Sequence, residues 1–66
     1  MPEIILEIYH ASDYKLKETK SLCKVKDGDG ALKYYYNVCR INFPVKMKEN
    51  YFLVNQGEYI YKYKLK

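Results

Sequence analysis

Sixty-six residues with a formal net charge of +4 make one domain at most (1–66), and a chain this small buries only about 60% of the surface its unfolded form exposes. No segment approaches the length of a membrane span, and the apolar run Ile4–Ile8 is too short and too interrupted by Glu7 for a secretion signal. Cys23 and Cys39 lie too far apart for a metal cluster and lack close-spaced ligand partners, so two buried free thiols are expected, with a disulfide as the alternative and no metal or cofactor.

Nine tyrosines and no tryptophan point to a core built from phenol rings whose hydroxyls reach its rim. The basic side is almost all lysine, Arg40 being the sole arginine. Lysines act as point charges suited to solvated attraction to phosphate, whereas reading a base edge favours the guanidinium fork. Lysine is also a common way to keep strand edges and faces solvated.

In chain order, Ile4-Ile5-Leu6-Glu7-Ile8-Tyr9-His10 reads as a first strand with Ile4, Leu6 and Ile8 on one face. His10 falls at its rim and has no partner spaced for catalysis. Ala11-Ser12-Asp13 is turn-like. The stretch from Tyr14 to Lys20 alternates at first like an edge strand, with room for one short helix at 13–20 capped by Ser12 or Asp13.

Leu22–Lys26 alternates again and is followed by Asp27-Gly28-Asp29-Gly30, a signal for a hairpin turn. A calcium loop is excluded there: with Gly30 at the sixth loop position, Val25 and Tyr36 occupy the first and twelfth, where carboxylates belong. The run Leu32–Phe43, rich in Tyr, Val, Ile and Phe and free of Gly and Pro, is expected to be the long central strand. With Lys26 facing Ala31, one surface carries Val25, Cys23, Leu32, Tyr34, Tyr36 and Val38, and the other carries Lys24, Lys26, Lys33 and Tyr35. Cys23 and Cys39 then fall on opposite faces, against a disulfide unless a bulge intervenes, and the switch of apolar parity past Asn37 to Cys39, Ile41 and Phe43 is where one would sit.

Pro44 ends or edges that strand. Tyr51–Val54 and Tyr59–Lys66, joined through Asn55-Gln56-Gly57-Glu58, make a second hairpin. Pairing Val54 with Tyr59 gives one aromatic face of Phe52, Val54, Tyr59, Tyr61 and Tyr63. Ile60, Lys62, Lys64 and Lys66 project from the other, with Tyr51 and Leu53.

The expected fold is all-β and mainly antiparallel, with four to five short strands in a curled sheet or a small SH3-like or OB-like barrel. The function this composition favours is non-enzymatic nucleic-acid binding with little sequence specificity. Lys24, Lys26, Lys33, Lys62, Lys64 and Lys66 would neutralise phosphates, and Tyr35 would stack on a base. The alternative is a protein-interaction module, or a small inhibitor or regulator, docking through a tyrosine-rich surface or exposed strand edge on a larger protein or a second copy. Scattered carboxylates and a lone histidine argue against an enzyme. An intracellular, cytoplasmic location is the default expectation.

Overall fold

The alternation in Ile4–His10 makes a strand, and its two apolar parities let it sit in the middle of a sheet. In a computed structural model describing residues 1–66, the elements are β1 (Glu3–His10), β2 (Leu16–Lys24), α1 (Gly28–Arg40), β3 (Tyr51–Gln56) and β4 (Tyr59–Leu65). The strands form one antiparallel sheet in the order β2-β1-β4-β3, open at both edges and not closed into a barrel. Glu3 and Lys66 exchange backbone hydrogen bonds at one end of the β1–β4 pair.

The helix lies on one face of the sheet, against β4, β1 and β3. Ile4 and Phe52 are fully buried beneath it, beside Leu32 and Val54. The Phe52 and Tyr63 rings stack at 4.9 Å, Tyr36 meets Phe52 edge-on, and Tyr35 stacks on Tyr63 at 5.6 Å. Phe43, Val45 and Met47 extend this layer, and Met47 bridges to Phe52. No element packs over the other face of the sheet.

Residues 32–43 are therefore not the central strand. Leu32, Tyr35, Tyr36, Cys39 and Phe43 recur at helical spacing and all pack against the sheet. The four strands pair into one open sheet, and what that sheet lacks is a cover for one apolar face. A helix supplies such a stripe, and that tertiary demand outweighs the strand preference of Tyr, Val and Ile.

The expected turn at Asp27–Gly30 starts this helix. The Asp27 carboxylate accepts from the Gly30 N–H at 3.0 Å, and the Asp27 carbonyl accepts from the Ala31 N–H at 3.0 Å. Asp29 in the first turn and Arg40 in the last match the helix dipole. Gly28 sits at a close approach to β4: a Cβ there would meet the Leu65 methyl groups and crowd Pro2, so a larger residue requires the Leu65 side chain to move.

Residues 13–20 are not helical. They form a turn and then β2, whose pairing with β1 shifts register at Ile4/Ile5 and at Ile8/Tyr9. The second hairpin forms around Gly57 at φ 64, two residues out from the expected register: Val54 pairs with Tyr61, and Phe52 with Tyr63. A shift of two preserves side-chain parity, so the aromatic and lysine faces of this hairpin are those the sequence indicates. Cys23 and Cys39 are both unpaired and both line the helix–sheet interface, not opposite faces. The Cys23 sulfur lies 3.8 Å from the Tyr35 hydroxyl.

Candidate nucleic-acid interface

Side chains at paired strand positions point the same way, so the register fixes what the uncovered face displays. Across β2, β1, β4 and β3, its rows are Lys24-Glu3-Lys66, then Ser21-Ile5-Lys64-Tyr51, then Thr19-Glu7-Lys62-Leu53, then Leu16-Tyr9-Ile60-Asn55. Lys62, Lys64 and Lys66 form a column along β4, with Cα atoms about 6.7 Å apart because alternate residues share a face. On the β1 side this column is flanked by Glu3 and Glu7. On the β3 side it is flanked by Tyr51, Leu53 and Asn55.

Each lysine has a distinct partner. The Lys62 ammonium sits 4.6 Å from the centroid of the Tyr51 ring, an attraction between cation and ring quadrupole. Lys64 Nζ lies 3.2 Å from Glu7 Oε2, and Lys66 Nζ lies 4.0 Å from Glu3 Oε1. Lys24 is exposed and enters none of the ion pairs. The Ser21 hydroxyl donates to Glu3 Oε2 at 2.7 Å, and the Tyr9 hydroxyl donates to Glu7 Oε1 at 2.9 Å.

Burial works to raise the Glu7 pKa, but the Tyr9 hydroxyl, Lys64 and Lys62 outweigh it and hold the carboxyl below its ordinary value. Glu7 thus stays ionised as the partner of Lys64. The Tyr9 phenol is pushed up, first by burial and then by its hydrogen bond to, and the charge of, Glu7. Ile5 is buried even on this open face.

The structure divides the seven residues singled out from sequence. Lys24, Lys62, Lys64 and Lys66 share the uncovered face. Lys26 is in the link between β2 and α1, and Lys33 and Tyr35 are on α1, across the sheet from the others. Tyr35 packs inward, between Tyr63 and Tyr34, with its hydroxyl at Cys23. Lys33 lines a cleft of about 250 Å³ with Tyr36, Asn37 and Met47.

The ring set among lysines on the open face is Tyr51, which sequence reasoning placed on that face without assigning it a role. Its signal is parity: Tyr51 pairs with Lys64, one step from Leu53 and Lys62. No three His, Cys, Asp or Glu side chains converge as metal ligands would. No helix is long and apolar enough to cross a membrane.

The chain matches no family model, no curated protein and no solved structure.

Proposed function

We propose that the uncovered sheet face binds single-stranded nucleic acid without catalysis and with little sequence preference. The observation that carries this reading is the Tyr51 ring, held among Lys62 and Lys64 at the edge of a regular lysine column. An extended strand laid along β4 would place phosphates on Lys62, Lys64 and Lys66, and bases over Tyr51 and Leu53. Stacking tolerates any base because every base has a π-face, and lysine adds charge without reading base edges. Lys62 would leave the ring for a phosphate as a base takes its place.

The experiment is retention of a labelled oligothymidylate by the intact chain across a salt series. Three to four neutralised phosphates correspond to a slope of log affinity against log salt of about −2 to −3. Tyr51→Ala should weaken binding by about 1–3 kcal/mol, the usual worth of one stacked base. Absence of binding at low salt, or binding indifferent both to Tyr51→Ala and to Lys62→Ala with Lys64→Ala, would remove the reading.

A further inference from the structure

The helix carries an unused surface of its own. Tyr34, Val38 and Ile41 are 65%, 47% and 79% exposed and stand at i, i+4 and i+7, one ridge along the side of α1 turned away from the sheet. Ile41, the C-cap, keeps helical dihedrals (φ −64, ψ −35), so it continues the ridge. Beside it runs a parallel row, Lys33, Asn37 and Arg40, at the same spacing. Exposed apolar residues scattered singly need no explanation, but three aligned on one helix form an apolar ridge of the kind along which a second helix packs.

The polar row carries cationic and amide donors. Arg40 Nε donates to Asn37 Oδ1 at 2.9 Å, which occupies the amide oxygen and leaves the Asn37 NH₂ as the free end. Lys33 enters no ion pair. Tyr36, on the cleft's inner wall, has its hydroxyl directed to the Val45 carbonyl at 3.4 Å. The cleft of about 250 Å³ between Lys33, Tyr36, Asn37 and Met47 thus offers an ammonium and an amide donor against a ring and a thioether, with no carboxylate in its lining.

We propose that this side of α1 docks an acidic, apolar-faced segment of another protein. The segment's aliphatic side chains would cover Tyr34, Val38 and Ile41, and one of its carboxylates would enter the cleft at Lys33 and Asn37. Charge favours this occupant: Lys33 and Arg40 outnumber Asp29, which stands one turn before Lys33 on the same row, so the row is net positive and a second copy would bring like net charge against it. The ridge and the proposed nucleic-acid face lie on opposite sides of the sheet, so the two can be occupied together.

The test selects helical peptides from a randomised display library on the intact chain, then measures the recovered peptides by fluorescence anisotropy. Supporting peptides carry net negative charge with apolar residues at i, i+3 or i+4, and i+7. They should lose at least tenfold in affinity on Ile41→Glu and on Lys33→Glu, while Lys62→Ala leaves them unchanged. The helix positions are solvent-facing, and an unchanged far-UV circular dichroism spectrum shows that each variant folds. Recovery of no peptide, of peptides without acidic enrichment, or of peptides indifferent to these changes would overturn the proposal. So would a concentration-dependent dimer abolished by Ile41→Glu, which would make a second copy the occupant.

Discussion

At the scale of single residues, Asp27 does the most with the least. Its side chain and carbonyl both serve the first turn of α1, and Gly28 beside it lets the helix approach Leu65. Asp27→Ala should cost about 1 kcal/mol in chemical denaturation, while Asp27→Asn, which keeps the accepting oxygen, should cost only a few tenths. Equal losses for the two variants would mean that the charge, not the cap, is what matters. The phenols set a pH limit. The Tyr63 pKa is raised first by burial and then by the Cys39 thiol, that of Tyr35 by its Cys23 contact and then burial, and that of Tyr9 by burial and Glu7. A neutral acid with a raised folded pKa contributes stability that is full below the unfolded value, near 10, and is lost as pH rises through the folded value. Thermal stability should therefore fall above about pH 10, and less steeply in Tyr63→Phe. Glu7 acts at the other end: its lowered pKa gives stability present above the ordinary carboxylate value and lost as pH falls through the folded one.

At the scale of elements, the loop between β1 and β2 carries strain that no composition rule reveals. Tyr14 adopts φ 60, a left-handed conformation uncommon for a bulky side chain, and its N–H donates to the His10 carbonyl at 2.8 Å. The ring is exposed and contributes little packing. Tyr14→Gly should be neutral or stabilise by up to about 1 kcal/mol, read as a midpoint shift in urea, because relieved strain offsets the added freedom of the unfolded chain. A loss beyond that range would show the ring to be holding the loop. The two central strands and the helix differ in how openly the sequence announces them. Ile4–His10 and Tyr59–Leu65 alternate without ambiguity, and both are strands where the alternation places them. Leu32–Phe43 satisfies two periods at once: Tyr34, Tyr35 and Tyr36 put a ring on every side, so alternation and helical spacing fit equally well. Asp-Gly before it suits a hairpin turn as well as a helix cap. Only the presence of four other strands needing a cover decides between them, and that information is tertiary.

At the scale of the whole molecule, two layers leave the sheet with one face sealed by α1 and one bare. The lysine half of the candidate site was legible because Lys62, Lys64 and Lys66 keep their parity even when the hairpin register moves by two. Lys33 and Tyr35 were drawn to the same surface only by the assumed strand, and the helix carries both across the sheet. The counter-charges were not legible: that Glu7 meets Lys64 and Glu3 meets Lys66 depends on β1 lying beside β4, a pairing between the two ends of the chain. On the proposed reading these carboxylates would compete with a bound phosphate, which leads to a direct expectation. Glu7→Gln, a loss of one negative charge, should strengthen oligothymidylate binding by about two- to fivefold, the worth of one partly exposed ion pair. Unchanged affinity would mean that Lys64 is not a phosphate contact.

The most direct measurement is an amide chemical-shift titration of the chain with oligothymidylate at low salt. If the bare face is the binding surface, the shifts concentrate on Tyr51, Leu53, Lys62 and Lys64, and the amides of Lys33, Asn37 and Arg40 stay still. Shifts confined to α1, or none at saturating oligonucleotide, would contradict the account.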